Sequence, residues 1–379
     1  MKCFLLLAAL AFCSVSALAP LKMADHGTGI QNKYIVSIRK SGNRRDVMAK
    51  VRAFTVDAEF GHEFKGLNAF VVSVGKEGLD FIRSIPGVSH IEQDSIGHID
   101  QNIASWGLDR TDQRDLPLND LFYPEGDGAG ANVFVVDTGI YYDHNDFGGR
   151  AEFFYDPIGG SNPNGDCNGH GTHCAGTVGG TLYGVAKQVK LWGVRTLNCQ
   201  GSGSSSDTAA AMELIGDTGA KPGALSMSLS FTNSQVVDDA ADYAIDRGFT
   251  VVTSSSNDNR DACFKSPQRN RRTISVGATD STDARASFSN YGTCQDIWAP
   301  GVSIISCDIS GPDASSSKSG TSMSCPHVAG VAGIKLALKP DSTPDEVKNA
   351  ILTEATVGRV TDAKEEEGTP NLLLFSRLP

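Results

Sequence analysis

From Ala131 to Ile140 the chain reads "ANVFVVDTGI". Val133 to Val136 form an unbroken apolar run, with no polar residue alternating, and the run stops at Asp137. This is how a strand covered on both faces reads. Similar short runs recur downstream as "KLWGVRTL" (190–197), "ALSMSLS" (224–230), "FTVVTSSS" (249–256), "TISVGAT" (273–279) and "SIIS" (303–306). Between them lie helix candidates: "SSDTAAAMELIGDTG" (205–219), "QVVDDAADYAIDRG" (235–248) and "HVAGVAGIKLALK" (327–339). The alternation predicts an α/β fold, a mostly parallel sheet with helices on both faces. Ligands of such sheets sit at the carboxyl ends of the strands, where Asp137 lies.

The 379 residues carry a net charge of -11 and no dominant basic stripe, which argues against a nucleic-acid partner. Lys2, the apolar run "CFLLLAALAFC" and the small residues Val15 and Ala17 predict a secretory signal peptide over residues 1–17. That run is short of the roughly 20 residues a membrane span needs, and no other segment is apolar enough to cross a bilayer. Residues 33–98 read as a small α+β unit, with strands in "KYIVSIR", "NAFVVSV" and "VSHIEQD" and short amphipathic helices in "RRDVMAKVRAF" and "EGLDFIRSI". A boundary is expected near Asp100–Gln101, where charge also changes. Residues 18–100 hold 11 Lys and Arg against 10 Asp and Glu, and residues 101–379 hold 21 against 34. Beyond the leader seven cysteines remain, and an oxidising compartment favours pairs while the odd count leaves at least one thiol free.

Three segments carry candidate chemistry. Asp137 ends the buried strand, His170 follows a Gly-rich turn in "DCNGHGTHCAG" (166–176), and Ser322 opens an apolar helix in "SGTSMSCPHVAG" (319–330). Taken singly, each is a turn former or a helix cap. Together they supply what acyl transfer requires. A serine hydroxyl is a weak nucleophile and needs a neighbouring base. His170 would take its proton, and Asp137 would hold the imidazole tautomer. A helix start at Ser322 would add N–H groups near a developing oxyanion. His327 is five residues along that helix and does not share a face with Ser322, so it is not the expected base.

In this order and setting the residues resemble the subtilisin-like serine proteases (subtilases), and within them the branch of proteinase K and aqualysin. "VVDTGI", "GHGTHCAG", "DARASFSNYG", "WAPG" and "GTSMSCPHVAG" carry the resemblance, which covers residues 101–379. The 33–98 unit looks like the inhibitory propeptide of the family, so 18–100 is expected to be a propeptide and 101–379 a protease domain. The resemblance implies a secreted, monomeric endopeptidase of broad specificity. It would act on extended polypeptides and be held inactive by its own propeptide. It assigns Asn257 as a second oxyanion donor. It assigns Ser254, Ser255 and Ser256 to one wall of the pocket for the side chain before the scissile bond, and Ser228, Leu229 and Ser230 to the other. The family usually has "AAG" and "SLGG" here, so Ser256, Ser230 and Phe231 are departures that predict a smaller or more polar pocket. Gly201, Ser202 and Gly203, in "GSGSSS", match a strand edge that pairs with substrate.

The resemblance further implies disulfides Cys167–Cys199 and Cys263–Cys294 and a buried free thiol at Cys174. Cys307 and Cys325 have no family partners and either pair or stay free. A zinc site at His170, His173 and Cys174 lacks the usual ligand spacing. Structural calcium is expected instead, on Asp296 with the backbone oxygens of Arg271 and Thr273. Two other classes compete with an active protease. A pseudoprotease acting as a binding protein is disfavoured because all the implied catalytic residues are present. An α/β-hydrolase requires G-x-S-x-G, and here the last position is Ser324.

Overall fold

The computed structural model describes residues 18–24, 29–95, 104–159 and 165–377. The expected signal peptide and the boundary near Asp100–Gln101 lie outside them. The chain divides into two compact units, Met1–Ile99 and Asp100–Pro379.

The first unit contains β1 (Leu21–Lys22), β2 (Gly29–Ile38), α1 (Arg44–Phe54), β3 (Glu59–Phe64), β4 (Ala69–Ser73), α2 (Lys76–Ser84) and β5 (Val88–Ser95). Its sheet has the order β1-β5-β2-β4-β3. Val36, Val47, Val51, Phe70, Ile82 and Ile91 form its core. The edge strand β3, "EFGHEF", has no apolar run in sequence. It pairs only with β4 and leaves no residue fully buried, so little hydrophobic signal was needed.

The second unit is built on a nine-stranded sheet. Its strands are β6 (Asn132–Asp137), β7 (Ala151–Tyr155), β8 (Lys190–Arg195), β9 (Gly223–Met227), β11 (Thr250–Ser254), β13 (Ile274–Thr279), β14 (Ile297–Pro300), β17 (Thr356–Val357) and β18 (Leu372–Leu373). The order is β17-β18-β14-β13-β11-β9-β6-β8-β7, parallel except for β17 against β18. Two short ladders lie apart from it: β10 (Phe231–Thr232) with β12 (Lys265–Ser266), and β15 (Ile304–Cys307) with β16 (Ser315–Lys318). The "SIIS" run therefore forms a hairpin, not a strand of the main sheet.

The helices are α3 (Trp106–Thr111), α4 (His170–Gly179), α5 (Ser205–Asp217), α6 (Gln235–Asp246), α7 (Thr321–Leu338) and α8 (Pro344–Glu354). Strand β6 shows why they occupy both faces. Val133 and Val135 join a core with α4, α7 and α8. Phe134 and Val136 point the other way into a core with α5 and α6. A strand's side chains alternate, so an unbroken apolar run needs two covers. Helix α7 begins at Thr321, one residue before the Ser322 expected to open it, and includes the apolar stretch from His327 to Leu338. Among the described residues no helix is long and apolar enough to cross a membrane.

Candidate active site

The carboxyl ends of β6, β9 and β11 lie side by side, because β9 pairs with both β6 and β11. They deliver Asp137, Ser228 and Ser254 to one edge. Asp137 is fully buried, and His170, the first residue of α4, places Nδ1 2.8 and 2.9 Å from its two carboxylate oxygens. Nδ1 donates to the carboxylate, which leaves Nε2 as the acceptor of the ring. Helix α4 can come this close because residue 171 is glycine. A Cβ there would lie 2.2 Å from the Gly139 carbonyl oxygen. Burial disfavours a charged ring at His170, but the Asp137 carboxylate and, after it, the Cys174 side chain together outweigh it and hold the imidazole pKa well above its usual value.

Asp166 organises this corner, and sequence reading did not single it out. Its Oδ1 accepts from the Thr138 hydroxyl (2.9 Å) and the N–H groups of Asn168 and Gly169 (2.9 and 3.0 Å). Its Oδ2 accepts from the N–H and hydroxyl of Thr172 at 3.0 and 2.7 Å. The Thr138 hydroxyl in turn accepts from Gly171 N–H at 2.9 Å. Two unpaired N–H groups at the start of α4 are thereby satisfied, and the helix is tied to the turn after Asp137. The spacing of Asp166 from Asn168 and Gly169, an Asx-turn pattern, was the available signal.

Ser322 is the second residue of α7 and is half-buried. Its hydroxyl donates to the Ser228 carbonyl oxygen over a long 3.4 Å and is not hydrogen-bonded to the His170 ring. Cys174 lies between them, its Sγ 3.9 Å from His170 Nδ1 and 3.3 Å from the Ser322 carbonyl oxygen. Pro326 falls in the second turn of α7. Having no N–H, it cannot bond the Ser322 carbonyl four residues back. The Ser228 hydroxyl makes that bond instead, at 2.9 Å, together with the Cys174 thiol. His327 is wholly buried with Nδ1 on the Met323 carbonyl oxygen at 2.8 Å, and burial lowers its pKa to about 4. It is a packing residue.

Asn257 follows β11 and is exposed. Its Oδ1 accepts from the N–H and hydroxyl of Thr321 at 2.8 and 2.9 Å. An N–H can only donate, so the oxygen must face Thr321 and Nδ2 is left available. The flanking walls are tied together from behind by Gln268, which sequence reading missed. Its buried Nε2 donates to the Leu229 carbonyl at 3.0 Å, the Thr253 hydroxyl at 2.8 Å and the Ser254 carbonyl at 2.5 Å. Ser228, Leu229, Ser254, Ser255 and Ser256 are buried, and Ser230 is half-buried. Ser256 has φ +79°, a conformation that favours glycine. Phe231 packs against the core that contains Leu229. Gly201, Ser202 and Gly203 do not form a strand. Gly201 and Ser202 bond back to Asn198 in a turn, and the Ser204 hydroxyl caps α5 by accepting from Asp207 N–H at 3.0 Å. The serine and aspartate there spell a helix cap.

Cys167–Cys199 and Cys263–Cys294 are disulfides, and Cys174, Cys307 and Cys325 are buried free thiols. Cys307 and Cys325 therefore do not pair. His173 turns away from any zinc arrangement, with Nε2 3.0 Å from the Ile304 carbonyl oxygen. The oxygens expected to hold calcium do not fit a metal ion as they stand. The Lys348 ammonium donates to the Arg271 and Thr273 carbonyls and pairs with Asp296.

Residues 128–372 match the model of the Subtilase family. An "Extracellular serine proteinase" of Thermus sp. (strain Rt41A) is 47% identical over 312 residues, 82% of this chain and 76% of that protein. A "Cuticle-degrading protease" of Metarhizium anisopliae is 38% identical over 367 residues, 94% of this chain and 93% of that protein. A solved structure described as a cold adapted subtilisin-like serine proteinase aligns with a TM-score of 0.70 at 41% identity, covering 74% of this chain and all of that one. The parallel sheet, the strand-end site and these matches agree that the chain belongs to the subtilase family of serine proteinases.

Proposed function

We propose that the protein is a secreted endopeptidase in which Ser322, His170 and Asp137 form the catalytic triad and Asn257 the side-chain oxyanion donor. The observation that carries this is the pair of buried Asp137 and half-buried His170, packed through Cys174 against the start of α7 that bears Ser322. Ser322 Oγ attacks the scissile carbonyl carbon while His170 Nε2 takes its proton. The carbonyl oxygen becomes an oxyanion facing Asn257 Nδ2 and the N–H groups at the start of α7. Collapse expels the amine, which leaves with the proton from His170, and an acyl-enzyme remains. Water, deprotonated by the same ring, then releases the second product. Asp137 holds the tautomer throughout and stabilises the imidazolium.

Two disulfides and the name of the Thermus relative support secretion. A separate compact unit with its own core supports a propeptide over 18–100, and its removal by the enzyme itself is part of the proposal. Side chains at Ser256 and Ser230 support a pocket for small or medium residues. The test is a fluorophosphonate probe on the mature protein. Labelling of Ser322, lost in Ser322→Ala along with processing of the precursor, is the expected result. An intact mature protein that never labels would favour a binding role instead.

A further inference from the structure

We propose that Lys348 is a tethered cation that permanently occupies a hard-cation site, so this corner of the fold is held without calcium. The carbonyl oxygens of Arg271 and Thr273 lie 2.9 and 2.6 Å from Lys348 Nζ, and Asp296 Oδ1 lies 2.9 Å from it. An ammonium has three N–H donors, and each has one acceptor here. Two carbonyls and a carboxylate are also the oxygen-only donors that calcium takes.

The donors are held in place independently of the lysine. Asp296 Oδ2 accepts from Ser275 N–H at 2.9 Å, and Asp296 N–H donates to the Ser275 carbonyl at 2.9 Å. The loop bearing the two carbonyls is closed by Thr273, whose N–H and hydroxyl bond the Asn270 carbonyl at 3.1 and 2.9 Å. Arg272 does not compete for the site, because its guanidinium pairs with Asp242 and Asp246 on α6. The Lys348 side chain is only 14% exposed, and α8 anchors it through Val347 and Ile351, which are buried in the core.

A calcium ion would need the same oxygens at about 2.3–2.6 Å. The nitrogen fills that volume, so ion and ammonium exclude one another. One carboxylate is matched by one ammonium, and the charge is covalently attached. A chelator cannot remove it, and a calcium-poor medium does not empty it. The single group clamps α8 to the starts of β13 and β14.

The test uses the mature protein, inactivated with phenylmethylsulfonyl fluoride to stop self-digestion. Calcium stoichiometry is read by titration calorimetry, and Tm by scanning calorimetry in a chelator and in excess calcium chloride. Wild type, Lys348→Ala, Lys348→Met and Asp296→Asn are compared. Wild type and Asp296→Asn should bind the same number of calcium ions, with Asp296→Asn melting lower. Lys348→Ala should melt about 3–6 °C below wild type in chelator. It should bind one more calcium ion than wild type and regain stability with it, and Lys348→Met serves if the alanine variant does not fold. A wild type that loses one bound calcium on Asp296→Asn would overturn the proposal. So would lysine variants with unchanged Tm and calcium stoichiometry.

Discussion

Replacing Asn257 separates two jobs that its amide performs. Oδ1 anchors the start of α7 by accepting two hydrogen bonds from Thr321, at 2.8 and 2.9 Å. Nδ2 is the atom proposed to meet the oxyanion. Asn257→Ala removes both. Loss of one such donor costs about 2.7–4 kcal/mol of transition-state stabilisation, or about 10²–10³ in kcat. KM should change little, because the ground-state carbonyl is a poorer acceptor than the oxyanion. The lost anchor leaves a helix N–H and a hydroxyl without their acceptor, for a further cost of about 0.5–2 kcal/mol in stability. Asn257→Asp keeps an oxygen facing Thr321 but replaces the donor by an acceptor with negative charge. It should keep the melting temperature of wild type and lose at least as much kcat as the alanine variant. The assay is steady-state hydrolysis of a chromogenic peptide, with scanning calorimetry on the same preparations. An alanine variant within about 5-fold of wild type in kcat would refute the assignment. An aspartate variant as unstable as the alanine one would refute the anchoring role.

Two further expectations follow from the same site. The acid limb of kcat/KM should have its midpoint above the ordinary histidine value of about 6.5, because Asp137 holds the His170 pKa up and only the neutral ring can act as base. Activity is thus lost as pH falls through that raised value. Asp137→Asn should move the limb to lower pH and reduce kcat by roughly 10⁴. A wild-type midpoint below 6.5 would contradict this. Gln268→Ala should strip the Leu229 and Ser254 carbonyls of a buried partner, at about 1–3 kcal/mol. Loosened walls should flatten the preference between small and large side chains in a peptide library. Unchanged Tm and unchanged preference would show that Gln268 does not hold the walls.

Much of the fold was legible because burial on two faces leaves a plain mark. Val133 to Val136 admit no polar residue, since alternate side chains enter different cores. Elements that bury less were harder to read. Strand β3 is a largely exposed edge, and β14, "IWAP", though fully buried, is only four residues long and ends in proline. The resemblance implies a strand edge at GSGSSS, whereas Ser204 and Asp207 form a helix cap. Inside α7, Pro326 removes one backbone hydrogen bond. The missing bond shows only when Ser228, 94 residues earlier in the chain, is found supplying it.

The sequence alone determined which residue types were available: a carboxylate at a strand end, a histidine after a glycine turn, and a serine at a helix start. Those are local facts, written in periodicity and turn chemistry. Tertiary structure decided what each one touches. Asp137 and His170 are 33 residues apart and meet because Gly171 admits α4 to the end of β6. Gln268 acquires its three acceptors only when β9 and β11 lie side by side. Lys348 is an ordinary helix lysine until folding brings it to Arg271, Thr273 and Asp296. The resemblance implies a cation on these oxygens, and in the packed chain the Lys348 ammonium takes that place. Long-range contacts are set by the geometry of the whole sheet, and no local pattern encodes them.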